Sequence, residues 1–145
     1  MIIILNYVKY YSKDSKTYVE YWLTFNEINM IIHAPYMAAG LVFKDDDFVE
    51  LIKYQAAHHE LIASALATKL EKEVNPKNKV GCMFAAGSVY PYSCNSKDVW
   101  EALKIEQENY LFVVIQVRGR YPSYAIKEFE RKNIEIKMKK TTKIF

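Results

Sequence analysis

The residues with the most chemical potential in this sequence lie where a run of aromatic and β-branched residues, Tyr18 to Phe25, ends in Thr24-Phe25-Asn26-Glu27. A carboxylate at the exit of a buried strand has its backbone held by the sheet while its side chain reaches the space above. Partly withdrawn from water, such a group keeps its proton to higher pH and can donate it near neutrality. The Asn before it carries both a donor and an acceptor, which suits a sugar hydroxyl. Taken by itself, a Glu in this setting is also an ordinary loop residue or helix cap.

Other groupings carry less. His58-His59-Glu60 gathers three potential metal ligands. Adjacent residues on a helix point about 100° apart, and histidines that share a zinc ion from one helix sit four apart. These side chains are expected to pack rather than to bind metal. Cys82 and Cys94 with His33 lack zinc spacing, and no base adjoins Cys94 to activate its thiol. No metal and no cofactor is expected. Tyr90, Tyr92, Tyr121 and Tyr124 could stack on sugar faces, but core or loop packing is the commoner use of such rings. Arg118 and Arg120 could hold a phosphate, with a surface ion pair as the simpler expectation.

The elements that must position these groups follow from local pattern. Residues 6 to 17 look like the end of a helix and a polar turn. Tyr18 to Phe25, free of Gly and Pro, reads as a buried strand. From Phe48, apolar residues recur at helical spacing through an Ala-rich stretch until Asn75-Pro76 stops them, with Asp45-Asp46-Asp47 as candidate caps. Lys79 to Ala86 reads as a second buried strand. Ser96-Lys97-Asp98 caps a helix running from Val99 to Tyr110 or beyond, and a short helix spans Ser123 to Lys132. Strand, long helix, strand is the unit of a parallel sheet, so the fold class is α/β. Residues 28 to 44 and 87 to 95, after the two strands, read as long irregular segments. In barrel and doubly wound enzymes such segments build the site.

The whole chain has 145 residues, 51% hydrophobic, 14% aromatic and 26% charged. That supports one core and excludes a disordered chain. Lysines and arginines number 20 against 17 acids, a net charge of +3, which makes no case for nucleic acid or membrane as partner. Two cysteines form no disulfide framework and suit a reducing compartment. Met1-Ile2-Ile3-Ile4-Leu5 is too short an apolar run for a signal peptide. The expectation is a soluble, cytoplasmic protein. The tail from Lys137 to Lys143, with four lysines, is expected to be solvated and frayed.

Tyr21-Trp22-Leu23-Thr24-Phe25-Asn26-Glu27-Ile28-Asn29-Met30 closely resembles the acid/base segment of family 1 glycoside hydrolases. The likeness continues through Ala57-His58-His59-Glu60-Leu61-Ile62-Ala63-Ser64-Ala65, then Val80-Gly81-Cys82-Met83 with Val89-Tyr90-Pro91. It ends in Gln116-Val117-Arg118-Gly119-Arg120-Tyr121-Pro122 and Asn133-Ile134-Glu135-Ile136. It spans about residues 18 to 137, and its style is that of the 6-phospho-β-glucosidase branch.

The resemblance implies a (β/α)8 TIM barrel that hydrolyses β-glucosides or 6-phospho-β-glucosides with retention. It implies that Glu27 is the general acid/base at the end of the fourth strand and that Asn26 binds the sugar 2-hydroxyl. Lys79 to Ala86 becomes the fifth strand. Retention needs a second carboxylate about 5 Å away as nucleophile. In the family this is a Glu in a Thr-Glu-Asn-Gly-like element, which this sequence lacks. A full barrel takes about 250 residues. Residues 1–145 are therefore expected to be a single incomplete catalytic domain, the strand 4 to strand 5 region with flanking helices, from a truncated or frame-shifted gene or a split enzyme. Such a piece is expected to be inactive alone. The alternative is a non-catalytic piece that binds sugar weakly, or that associates with itself or with complementary segments through exposed barrel edges. One departure, Val114 where the family usually has Asp, puts the expected loop around residues 112–116 in doubt.

Overall fold

The computed structural model describes residues 6–11, 18–85 and 87–138. Helix α1 spans residues 6–11. It is followed by strand β1 (Tyr21–Asn26) and by two short helices, α2 (Met30–His33) and α3 (Pro35–Ala39). Then come the long helix α4 (Val49–Val74), strand β2 (Lys79–Met83), α5 (Ser96–Arg118) and α6 (Ser123–Arg131). The expected order holds, with two helices added. The remainder of the first polar turn, Ala86 and most of the lysine-rich tail lie outside the described residues.

β1 and β2 pair in parallel, with α4 as the crossover. Trp22 and Thr24 lie on the face toward α4, where the Thr24 and Ser64 hydroxyls meet at 3.0 Å. Gln116 of α5 donates to Ser64 at 3.3 Å and accepts from the Cys82 thiol at 2.9 Å. One polar chain thus ties β1, α4, α5 and β2 together behind the sheet. Below it, the Asn78 amide donates to the buried Glu71 carboxylate at 2.9 Å, and Lys72 donates to the Asn78 carbonyl at 2.5 Å. These contacts fasten the end of α4 to the start of β2.

The core lies where α2, α4, α5 and α6 meet. Ile31, Tyr54, Leu61, Phe112, Ile115 and Phe129 are buried in one cluster. Tyr54 of α4 packs its ring 4.8 Å from that of Phe129 and 6.3 Å from that of Phe112. The expectation that both strands are buried is corrected: the face toward α4 is half-buried and the other is open. Tyr21 is 68% exposed, Leu23 69% and Met83 49%. A parallel sheet needs cover on both sides, and the described helices cover one.

Several local expectations are also corrected. The segment from 28 to 44 is not irregular throughout. Pro35 supplies a φ ready for the first turn of α3, and Gly40 ends it at φ 63°, the usual Pro-first, Gly-last asymmetry. The Asp45–Asp47 run does not cap α4. The N-cap is Phe48 without a side-chain bond, and the Asp47 carboxylate instead accepts from the Lys44 N–H at 2.8 Å. α5 is capped by Asn95, not Ser96, with the Asn95 side chain accepting from the Lys97 N–H at 2.9 Å. The stretch 112–116 forms no loop. It is the last part of α5, which runs to Arg118 and closes at Gly119 with φ 66°. Asn95→Ala is expected to destabilise the chain by about 1 kcal/mol, read from the denaturant midpoint, and an unchanged midpoint would refute the capping role.

Candidate active site

Glu27 follows the last residue of β1. Its N–H donates to the Met83 carbonyl at 2.7 Å, so the ladder runs one step beyond the strand, and its own carbonyl accepts from the Met30 N–H at 2.8 Å. Its φ is 49°, the left-handed region that non-glycine residues seldom adopt. Glu27 is half-buried and Asn26 exposed.

The pairing register explains where Asn26 faces. Leu23 lies opposite Gly81 and Asn26 opposite Met83, with the register shifting between them. Three steps on β1 therefore match two on β2. One extra residue reverses the face on which every later side chain lies. Without it Asn26 would share a face with Trp22 and Thr24, toward α4. With it Asn26 joins Tyr21, Leu23 and Met83 on the open face. The bulge thus presents Asn26 to the open side at the C-terminal end of the strand pair, with Glu27 next to it. Tyr21 and Lys79 mark the other end of that face, where Lys79 donates to the Tyr21 hydroxyl at 3.0 Å.

Nothing in the sequence marks Asn29 as a site residue. It is buried and makes two hydrogen bonds to the backbone of Ala85, 2.8 and 3.1 Å long. No local pattern announces a contact across 56 positions. The segment after β2 is held in turn by α5, where Glu106 accepts from the Val89 N–H at 2.8 Å. Tyr90 and Tyr92 on that segment are exposed, whereas Tyr121 and Tyr124 pack against the core. Core or loop packing therefore describes only the second pair.

His58 and His59 diverge. His58 is buried, with Nδ1 3.0 Å from the Tyr121 hydroxyl, while His59 is exposed with Nε2 3.0 Å from the Gln55 amide. Burial, and secondarily the charge of His59, push the His58 imidazole below its ordinary range. Burial also pushes the Cys82 thiol up, away from a reactive thiolate. The surface ion pair expected for Arg118 or Arg120 does not form among the described residues.

Burial raises the Glu60 carboxyl from 4.5 to about 6. The folded chain then binds more protons here than the unfolded chain, so stability is lost as pH rises from 4.5 through 6. His58 acts oppositely. Its depressed folded value means stability lost as pH falls below 6.5. Glu60→Gln is expected to stabilise the chain by about 1 kcal/mol at pH 7, after discounting for part exposure, and by nearly nothing at pH 4. Urea denaturation at the two pH values checks this. An equal gain at both would trace the effect to packing instead.

A parallel strand pair with helices on one face and a carboxylate at its C-terminal edge is the kind of unit on which α/β enzymes place their chemistry. Residues 3–144 match Glycosyl hydrolase family 1, and the chain belongs to that family. It is 50% identical over 136 residues to the 6-phospho-beta-glucosidase AscB of Escherichia coli, covering 89% of this chain and 29% of that protein. It is 46% identical to a 6-phospho-beta-glucosidase of Clostridium longisporum, covering 90% and 28%. The aryl-phospho-beta-D-glucosidase BglH of Bacillus subtilis is 41% identical, covering 90% and 29%. The chain thus spans under a third of the length of these curated relatives. Among solved structures, that of the virulence factor SghA from Agrobacterium tumefaciens superposes with a TM-score of 0.73 at 21% identity, over 97% of this chain and 31% of that one. Family and fold likeness together make the chain a stretch of a TIM barrel. No helix among the described residues is long and apolar enough to cross a membrane.

Proposed function

We propose that residues 1–145 are one incomplete catalytic-domain span, the strand 4 to strand 5 region, of a retaining β-glycosidase acting on 6-phospho-β-glucosides or plain β-glucosides. Glu27 is its general acid/base and Asn26 holds the sugar 2-hydroxyl. The observation that carries this is the bulge in β1, which turns Asn26 to the open face beside Glu27 at the C-terminal end of the strand pair. The relatives named as 6-phospho-beta-glucosidases favour the phosphorylated substrate.

The reaction divides between two carboxylates. A nucleophile attacks the anomeric carbon while Glu27 protonates the leaving oxygen, and Glu27 then takes a proton from the water that releases the sugar. The nucleophile belongs to barrel segments beyond the span matched here, so the 145 residues alone turn over no substrate. The test replaces the matched span of AscB by this chain. The chimera is expected to hydrolyse p-nitrophenyl β-glucoside 6-phosphate in a manner that depends on Glu27. A folded, active chimera indifferent to Glu27→Gln would refute the assignment, and Glu27-dependent turnover by the isolated chain would refute its inactivity.

The uncovered Tyr21, Leu23 and Met83 face supports a second reading, in which the chain is a non-catalytic piece that binds sugar weakly or associates with itself or with complementary barrel segments. Apolar sheet faces and unpaired strand edges recruit partners. Light scattering checks it, and a sharp monomer with cooperative melting counts against it.

A further inference from the structure

We infer that Asn29 is a positioning residue for Glu27, locking the ends of β1 and β2 together through the backbone of Ala85. It deepens the reading of Glu27 above and depends on that reading only for its catalytic consequence. Asn29 is 4% exposed. Its amide nitrogen donates to the Ala85 carbonyl at 2.8 Å, and its amide oxygen accepts from the Ala85 N–H at 3.1 Å. One side chain therefore satisfies both backbone groups of a residue beyond the end of β2.

The parallel ladder ends with the Glu27 N–H on the Met83 carbonyl. Two residues further along each chain, Asn29 meets Ala85. The side-chain amide thus supplies a further rung after the backbone rungs stop. Glu27 forms the last backbone rung and lies two residues before this one, in a left-handed conformation that persists only where its surroundings over-determine it. The commoner use of Asn at this position does not apply. Asn29 is the N-cap of α2, yet its side chain makes no capping bond. An amide is also the side chain suited to the contact, since it presents a donor and an acceptor together. Asp keeps only the acceptor, and Ala keeps neither.

The test uses the isotopically labelled 145-residue chain, with amide hydrogen exchange and Cα chemical shifts as readouts. In Asn29→Ala, exchange at Glu27 and Ala85 is expected to rise about tenfold or more, while α4 amides such as Leu61 stay within about twofold. The Glu27 Cα shift is expected to leave its left-handed value. Asn29→Asp, which retains the acceptor for the Ala85 N–H, is expected to fall between wild type and Ala, and it carries the test should the Ala variant not fold. An unchanged Glu27 signature with Ala85 alone loosened would overturn the proposal. Equal loosening of α4 and the sheet would also overturn it, since that marks a general contribution to stability. Failure of Glu27 in the AscB chimera would leave these exchange results standing, so the two readings fail separately.

Discussion

Glu27→Gln, in a barrel completed around this chain, is expected to lower kcat by about 10²–10⁴-fold, the usual worth of a positioned proton donor. The loss depends on the leaving group. p-Nitrophenolate departs readily without a proton, so with that substrate the first step survives and release of the sugar by water becomes slow. An alkyl 6-phospho-β-glucoside, whose leaving oxygen must be protonated, is expected to lose both steps. Azide, a nucleophile that needs no deprotonation, is expected to restore turnover of the p-nitrophenyl substrate by the Gln variant. Equal losses on both substrates with no azide effect would show that Glu27 holds structure and transfers no proton.

Phe112→Ala is expected to destabilise the chain by about 3–5 kcal/mol, a large part of the 5–15 kcal/mol typical of a whole domain. Phe112 is among the largest fully buried side chains. It sits on α5, in the cluster where α4, α5 and α6 meet, with its ring facing Tyr54. Truncation leaves a cavity that the three helices can close only by shifting toward one another, which their other contacts resist. Urea denaturation monitored by circular dichroism gives the value. A loss below about 1 kcal/mol would mean that the helix layer does not fold as one cooperative unit. The layer stands behind the sheet through Ser64 and Gln116, so in an active chimera the same substitution is expected to reduce the folded fraction without changing kcat per folded molecule.

The long helix, both strands and the two C-terminal helices were legible because their signals are local. Apolar spacing near 3.6 residues marks α4, a β-branched and aromatic run marks β1, a short apolar run after a turn marks β2, and Asn75-Pro76 marks the end of α4. Caps were legible only as candidates. Asp47 and Ser96 have acceptable cap side chains, yet neither caps a helix and Asn95 does, because the residue that bonds depends on how the chain approaches the helix. The α3 helix was missed although Pro35 and Gly40 bracket it, because four residues between them show no periodicity.

The sequence by itself determined the family and the placing of one Glu after a strand, since motif and hydrophobic pattern are properties of neighbouring residues. Only the tertiary structure decided which way Asn26 faces, because an extra residue in β1 is extra only when counted against β2. It alone decided the partner of Asn29, because a hydrogen bond across 56 positions leaves no trace in local composition. It also left the Tyr21 and Leu23 face open, since burial depends on which surfaces arrive from elsewhere in space.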